Sequence, residues 1–301
     1  MSFSKYTFNF GRRIRRLAFG AALICCLNAL GDEVDGESLK AAAEKGDVQA
    51  EYLLAKRYEK GQGVERDYAK AAGLYRKAAE QGNAGAQNNL GTLYVKGLGV
   101  ACDNAEANKW YRQAAEQGDA PAEYNLGYSY EHGRGVTKDL KEAENWFRKA
   151  AEQNLAEAQN QLGEMNFTGE VKNYAAAREW FRKAADQNFA SAENNLGVIY
   201  RGGLGVQMDA VEAGKWFLRA AEHGNRKAQF SVALLYRTGR GVPRDMVKTY
   251  AWLTICANAG NASAAQMRTE IQTSPSALSG HEIVAANRLV DEYRSRHDAA
   301  E

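Results

Sequence analysis

Residues 86–118 read AQNNLGTLYVKGLGVACDNAEANKWYRQAAEQG, and the chain repeats this pattern with few changes. The pattern returns six times between about Val48 and Gly260. Its central pair of aromatic or apolar residues recurs at intervals of 36, 36, 34, 36 and 36 residues, as Leu74-Tyr75, Trp110-Tyr111, Trp146-Phe147, Trp180-Phe181, Trp216-Phe217 and Trp252-Leu253. A period of this length is typical of proteins built from stacked helical hairpins.

Each copy predicts two antiparallel helices. In the first helix, small and apolar residues recur at i, i+4, i+5 and i+8, from Ala86 to Tyr94, so that they share one face. The Gly at i+5 lowers helix stability by about 1 kcal/mol relative to Ala, which indicates that another helix approaches closely there. A Gly-x-Gly-Val segment ends the first helix, and the Asp three residues later is a good N-cap for the second. The second helices are predicted to end at Gly82, Gly118, Asn154, Asn188, Gly224 and Gly260.

The fourth copy and the two ends of the chain depart from this pattern. The fourth loop, residues 168–173, lacks two residues, and Asn173 replaces the Asp. We expect a shorter loop there, with Phe167 filling the vacated space. Residues 32–47 are predicted to form a capping helix, and residues 261–301 are predicted to form further capping helices, because the terminal repeats of a solenoid need a polar outer face.

Over residues 48–260 the pattern resembles the Sel1-like repeat, a relative of the tetratricopeptide repeat. The resemblance implies an all-α fold, namely a right-handed α/α superhelical solenoid of six helix-turn-helix repeats. It also implies a scaffold or adaptor that binds a protein or peptide partner, in a cell-envelope complex or a regulatory pathway. One cysteine-rich branch of the family has been linked to β-lactam binding, and it has a Cys pair in each repeat, which this chain lacks. By analogy with that branch, a β-lactam-binding or β-lactam-hydrolysing enzyme is the first alternative function, and a structural spacer is the second.

The N-terminus has the order of a secretory signal peptide, with basic residues, then an apolar run from Leu17 to Leu27, then small residues up to Gly31. The apolar run is too short for a spanning helix, which needs roughly 20 apolar residues. We therefore expect cleavage near Gly31 and a periplasmic or secreted protein, with residues 1–31 removed. Lipidation at Cys25 or Cys26 would attach the chain to a membrane, but neither cysteine follows a small residue.

Charge and composition argue against several classes of function. Cleavage near Gly31 would lower the number of basic residues from 39 to 34, against 37 acidic ones, so that the mature chain carries a formal charge of −3. This balance argues against nucleic acid, whose binding depends on basic patches. Cys102 and Cys256 lie about four repeats apart and are not expected to bond to each other. Because no His or Cys has metal-ligand spacing and no catalytic set stands out, we expect no metal, no cofactor and no enzyme activity.

A row of side-chain amides precedes the Leu-Gly pair of the first helices. This amide row consists of Asn89, Asn125, Gln161 and Asn195. Beside it stand Asn88, Tyr124, Asn160, Asn194 and Phe230. In tetratricopeptide-like superhelices the first helices line the concave face, where amides can pair with the backbone of an extended peptide, so the resemblance implies partner binding here. Hydrogen bonds between neighbouring repeats are the alternative role, and the two roles could coexist.

Three further periodic features have structural interpretations. The Gly-x-Gly loops follow a helix, whereas a dinucleotide-binding fingerprint follows a strand. The Trp residues of the central pairs form a Trp ladder that recurs in phase with the repeat. This regular spacing favours packing between successive repeats over sugar stacking. An Arg row lies near the ends of the second helices: Arg76, Arg112, Arg148 and Arg182. Each Arg there gains about 0.3 to 1 kcal/mol from the helix dipole, and a strip for an anionic partner is the alternative.

Overall fold

The computed structural model describes residues 36–274 and 277–298. The predicted signal peptide, its cleavage site near Gly31, and Cys25 and Cys26 all lie outside these residues. The described residues form fifteen α-helices and no strand, which confirms the all-α prediction. The helices are α1 (Gly36–Glu44), α2 (Val48–Lys60), α3 (Tyr68–Glu80), α4 (Ala84–Lys96), α5 (Asn104–Glu116), α6 (Ala120–His132), α7 (Leu140–Glu152), α8 (Ala156–Thr168), α9 (Tyr174–Ala185), α10 (Ala190–Gly202), α11 (Ala210–Glu222), α12 (Arg226–Thr238), α13 (Met246–Asn258), α14 (Ala262–Thr273) and α15 (Gly280–Asp298).

The chain divides into two compact units after Cys102. Helices α1 to α4 belong to the N-terminal unit, and α5 to α15 belong to the C-terminal unit. From α1 to α4 and from α5 to α14, helices adjacent in sequence pack on each other, so that the second helix of one repeat also packs on the first helix of the next. Among the described residues, no helix combines the length and hydrophobicity needed to cross a bilayer.

The predicted helix caps are present. Five of the loops place the first Gly in the left-handed region, as at Gly133 with φ 67°. Asp139 then caps α7, because its carboxylate accepts hydrogen bonds from the backbone N–H groups of Lys141 and Glu142 at 2.9 and 3.0 Å. At the ends of the second helices, Asn154 and Asn188 take φ of 67° and 63°, in the same region as the Gly residues of the other repeats.

The second Gly of the loop allows a close approach between successive repeats. A Cβ at Gly241 would lie 1.9 Å from the backbone oxygen of Ala210, and one at Gly135 would lie 2.4 Å from the carbonyl carbon of Asn104. Ala210 and Asn104 each begin the second helix of the preceding repeat. The Gly-x-Gly segment is therefore a structural loop, as the sequence predicted, and its second Gly also allows successive repeats to pack closely.

The Gly of the Leu-Gly pair makes room for an aromatic ring. A Cβ there would overlap the ring of the second helix in three repeats: Gly127 with Phe147 at 2.8 Å, Gly163 with Phe181 at 2.5 Å, and Gly197 with Phe217 at 2.7 Å. All three rings are at most 1% exposed. The close helix approach that the sequence predicted thus occurs between the two helices of one repeat.

The side chains of the Trp ladder contribute to the hydrophobic core of successive repeats. Trp146, Trp216 and Trp252 are buried, and Trp110 and Trp180 are half-buried. Trp180 packs against the cluster formed by α7 and α8, and Trp216 packs against the cluster formed by α9 and α10. Both rings therefore contact the two helices that precede their own helix, and so pack between successive repeats as predicted.

The fourth repeat has the shorter loop that its sequence predicts. Gly169 has φ −59° and ψ 170°, so this loop lacks the left-handed cap of the others. Phe167 is half-buried, with its ring edge-on to Tyr174 at 5.4 Å and to Phe181 at 6.3 Å. The ring fills the space beneath the shortened loop.

The ends of the repeat array are covered by extra helices. In the N-terminal unit, α1 buries Leu39 and Ala43 against α2. In the C-terminal unit, α14 and α15 both pack on α13. Tyr293 of α15 lies edge-on to Trp252 at 5.4 Å.

Candidate partner-binding face

The eight residues predicted to bind a partner all lie on first helices. Asn88 and Asn89 are on α4 in the N-terminal unit, and the C-terminal unit holds Tyr124 and Asn125 on α6, Gln161 on α8, Asn194 and Asn195 on α10, and Phe230 on α12. Asn194 is buried, and the other seven are half-buried. We call the surface around the six of these residues that lie on α6, α8, α10 and α12 the first-helix face.

Amide hydrogen bonds connect the first helices of successive repeats on this face. Gln161 Nε2 donates to both carboxylate oxygens of Glu131, at 3.0 Å each. Asn195 Nδ2 donates to Asn160 Oδ1 at 3.3 Å, and Asn160 Nδ2 donates to Glu164 Oε1 at 2.9 Å. These contacts link α6 to α8 and α8 to α10. The inter-repeat role that the sequence left open is therefore present.

In the N-terminal unit, the predicted amides contact the core of their own region. Asn89 Nδ2 donates to the Tyr75 hydroxyl at 3.2 Å, and that hydroxyl donates to Glu59 Oε2 at 2.6 Å. Burial and the Glu59 carboxylate raise the pKa of Tyr75. Asn88 Nδ2 lies 3.4 Å from Asn89 Oδ1. These contacts hold Asn89 in a network that begins on α2 and α3.

An acidic surface surrounds Tyr124. Its ring rests on Phe147, with 5.5 Å between the ring centroids. Burial, followed by the nearby carboxylates of Glu157, Glu131 and Glu164, raises the pKa of the Tyr124 phenol. We define the acidic end of the first-helix face as Glu131, Glu157 and Glu164. Because α6 and α8 supply all three carboxylates, the acidic end is formed by the third and fourth repeats together.

The sign of the charge is reversed on α12. Phe230 holds the repeat position of Tyr124 there and packs against the last core cluster. Arg226 and Lys227 are exposed, and Arg237 lies on the same stripe as Phe230, two turns further along α12. We define the basic end of the first-helix face as Arg226, Lys227 and Arg237. The face therefore changes from negative to positive between α8 and α12.

A row of buried polar side chains was missed by the sequence interpretation. The first helices carry Glu and Gln in strict alternation at one position, with exposures of 0 to 4%: Glu51, Gln87, Glu123, Gln159, Glu193 and Gln229. A polar residue near the end of the second helix forms a hydrogen bond with several of these side chains. Gln153 Nε2 donates to Glu123 Oε2 at 2.9 Å, and Gln187 Nε2 donates to Gln159 Oε1 at 2.9 Å. The periodic Glu or Gln after the small Ala was the signal that could have revealed this row.

The buried carboxylates differ in their electrostatic surroundings. Burial raises the pKa of Glu51 and of Glu123, whose hydrogen-bond donors are the neutral amides of glutamines. Glu193 instead has Arg219 Nε at 2.6 Å and His223 Nδ1 at 2.8 Å. These contacts join the start of the first helix to the end of the second helix of the same repeat, so the buried row stabilises the hairpin.

The Arg row has specific partners in addition to the predicted helix dipole. Arg76 donates to the Tyr94 hydroxyl, and Arg112 donates to the Tyr130 hydroxyl, in each case across a junction between repeats. In the third repeat Arg148 instead pairs with Glu144 of its own helix at 2.7 Å. The row thus tightens repeat junctions at two places.

Cysteine and metal chemistry find little support among the described residues. Cys102 is exposed and Cys256 is buried, and both are free thiols. Burial raises the pKa of the Cys256 thiol to about 11. Within the described ranges, no group of three or more His, Cys, Asp or Glu side chains is arranged to hold a metal ion.

Comparison with known proteins identifies the repeat. The family model described as Sel1 repeat matches residues 48–83, 84–119, 120–155, 156–189, 190–225 and 226–261. The crystal structure of a Sel1 repeat protein from Oxalobacter formigenes is 34% identical and covers 78% of this chain and 96% of that chain, with a TM-score of 0.67.

A second solved structure is c5321, described as a protective antigen present in uropathogenic Escherichia coli strains and displaying an SLR fold. It is 33% identical and covers 89% of this chain with a TM-score of 0.72, and this chain spans 60% of its length. A search of curated proteins gives no match. With six matched repeats over most of its length, the chain belongs to the Sel1 repeat family.

Proposed function

We propose that this protein is an exported scaffold whose first-helix face binds an extended segment of a protein partner. The Sel1 repeat is a scaffold-type fold that commonly mediates protein interactions and is typically non-catalytic. No observation on the described residues favours a β-lactam site. The proposal therefore concerns which face is used and what kind of segment it takes.

The observation that carries the proposal is the reversal of charge along the first-helix face. The acidic end lies around Tyr124 on α6 and α8, and the basic end lies around Phe230 on α12. Complementary charges set the direction in which a partner binds and raise its association rate. A segment with basic residues at one end, acidic residues at the other and apolar side chains between them fits this order.

The aromatic and amide side chains supply the remaining contacts. Tyr124 and Phe230 are half-buried, and partly exposed aromatic side chains are frequent energetic centres of protein interfaces. Asn195 and Gln161 each have both a donor and an acceptor. They can exchange their inter-repeat hydrogen bonds for bonds to the backbone of a bound segment, so the two roles expected for the amide row are compatible.

A site-specific crosslinking experiment tests this proposal. A photo-crosslinking amino acid placed at Tyr124 or at Phe230 should capture the same partner from cells that express the protein. The matched control is the same amino acid at Glu152, an exposed position on the second helix α7, where we expect no capture. Equal capture at all three positions would contradict the assignment of the face.

Charge reversal tests the direction of binding. The pair of substitutions Glu157→Lys and Glu164→Lys should abolish capture of that partner, and so should the pair Arg226→Glu and Lys227→Glu. The effects should be stronger at low salt, where exposed charges are less screened. Capture that survives both reversals would show that the charge order has no role.

Export is part of the proposal and is supported by the N-terminal sequence alone. The mature protein recovered from cells should begin near residue 32, which mass spectrometry of the intact chain measures directly. Recovery of a chain that still begins at Met1 from the cytosol would contradict export.

A further inference from the structure

A cavity of about 310 Å³ lies between the second helix of the fourth repeat and the first helix of the fifth. It is lined by Arg178, Glu179, Arg182 and Lys183 of α9 and by Leu196 and Tyr200 of α10. Three cations and one carboxylate give the lining a formal charge of +2. Because Glu179, Arg182 and Lys183 are exposed, the cavity opens to solvent.

At two other junctions between repeats, the equivalent Arg and Tyr side chains form a hydrogen bond. There an Arg of the second helix donates to a Tyr hydroxyl of the next repeat, as Arg112 does to Tyr130. Arg182 and Tyr200 hold the same two positions beside the cavity, but Arg182 Nε pairs with Asp186 at 3.2 Å, and its guanidinium lies over the Trp216 ring at 4.9 Å. Within the described part of the chain, the Tyr200 hydroxyl has no hydrogen-bond partner.

Two like charges lie one helical turn apart on the wall of this cavity. Arg178 and Arg182 are related by i, i+4 on α9, an arrangement that destabilises a helix by itself. In the third repeat the same two positions hold Glu144 and Arg148, which form an ion pair at 2.7 Å. The fourth repeat therefore has two guanidinium groups facing a cavity where its neighbour has a neutral pair.

We propose that this cavity binds a phosphate monoester. The dianion lies between the guanidinium groups of Arg178 and Arg182, whose planar donors match phosphate oxygens, and the Tyr200 hydroxyl donates a further hydrogen bond. Because the Asp186 carboxylate pairs with Arg182, the net charge beside the cavity is +1, and the dianion adds to the carboxylates that face Arg182. The organic part of the ligand contacts Leu196 and the Tyr200 ring. None of these residues belongs to the first-helix face, so the site is independent of the partner-binding proposal.

Calorimetric titration of the mature, full-length chain at low ionic strength tests the site. Phenyl phosphate is the probe, and benzoate is the monoanion of similar shape. We expect one phenyl phosphate per chain, bound at least about tenfold more tightly than benzoate, which corresponds to about 1.4 kcal/mol. Inorganic phosphate should compete for the same site, and added salt should weaken binding by screening the charges. Equal binding of benzoate and phenyl phosphate, or no heat of binding up to about 10 mM phenyl phosphate, would overturn the proposal.

Variants separate ligand binding from folding. Arg178→Glu reproduces the charge order of Glu144 and Arg148, so it should abolish binding of phenyl phosphate while the melting temperature stays at or above that of the unmodified protein. Tyr200→Phe should weaken binding at least about tenfold, because the hydroxyl donates to a charged acceptor. The matched control is Arg148→Ala, at the position of Arg182 one repeat earlier, which should leave binding unchanged. Binding that persists in a folded Arg178→Glu variant would refute the site.

Discussion

The third and fifth repeats bury the same residue types and surround them with different partners. At the start of the first helix, Glu123 accepts a hydrogen bond from the neutral amide of Gln153, whereas Glu193 faces Arg219 and His223. Both carboxylates are at most 4% exposed. The position is thus fixed by packing, and its charge balance is set by one or two residues near the end of the second helix.

The Trp residues of the two repeats differ in the same way. Trp146 and Trp216 are both 6% exposed. Trp146 Nε1 donates to Glu142 Oε1 at 2.9 Å. Within the described residues Trp216 Nε1 has no partner, and the guanidinium groups of Arg182 and Arg219 lie over its ring at 4.9 and 5.4 Å. Shape is therefore shared between the repeats, and polar surroundings are specific to each.

The largest expected effect is common to both repeats and tests the shared part of the comparison. Trp146→Ala and Trp216→Ala should each lower the free energy of unfolding by about 3 to 5 kcal/mol, the range for removing a large buried aromatic side chain. Chemical denaturation followed by circular dichroism measures this loss. A loss below about 1 kcal/mol for Trp146→Ala would show an exposed ring and would reopen the interpretation of the Trp ladder as a stacking surface.

The second effect should appear only in the fifth repeat. Glu193→Gln should lower the free energy of unfolding by about 1.5 to 3 kcal/mol at neutral pH, because Arg219 loses a buried, charged acceptor. His223→Gln is the control, since it recreates the Glu and Gln pairing of the third repeat and should change stability by less than about 1 kcal/mol. If Glu193→Gln left the free energy of unfolding unchanged, the ionic contacts of Glu193 would make no net contribution to stability.

The third effect tests the contact between Gly197 and the Phe217 ring. Gly197→Ala should destabilise by about 1 to 3 kcal/mol through overpacking, since the added Cβ would lie 2.7 Å from the ring. The sixth repeat combines Ala233 with Leu253 at these positions, so Gly197→Ala together with Phe217→Leu should lose less than the sum of the single changes. Additive losses in this double-mutant cycle would mean that the two positions do not interact.

The smallest effect has the opposite sign and depends on pH. Burial raises the pKa of Glu123 above its ordinary value of 4.5. The stability that this residue contributes is therefore complete below pH 4.5 and is lost as the pH rises through the higher, folded-state pKa. Glu123→Gln removes that loss and should raise the melting temperature at neutral pH. The difference should shrink on acidification, and a difference that grows as the pH falls would contradict this account.

The repeats, their caps and the shortened fourth loop could be predicted because each depends on local backbone chemistry. Asp139 and Asn154 act as they would in any helix hairpin, and Phe167 lies where the missing loop residues leave space. The depth of burial was harder to predict. The residue after each Trp, such as Phe217, proved more deeply buried than the Trp itself.

The sequence located the candidate face but not its contacts. Asn195 and Gln161 lie on first helices as expected, yet the choice of Asn160 and Glu131 as their partners depends on side-chain rotamers across repeats. The cavity beside Tyr200 shows the same limit. The Arg and Tyr pattern persists there in the sequence, and only the structure shows that the two side chains do not meet.

Helix α15 limits how this array can change in length. Ala259 stands where earlier repeats have Gln or His, and Gln229 Nε2 instead donates to the Tyr293 hydroxyl at 2.6 Å. Arg296 also pairs with Glu222 at 3.1 Å. A seventh copy appended after the sixth would have to displace α15 and would leave Gln229 without this partner. A copy of the fifth repeat inserted before residue 226 would keep the Gln229 contact and would bring its own equivalent of Glu222, so a longer version of this chain should be designed by duplicating an internal repeat.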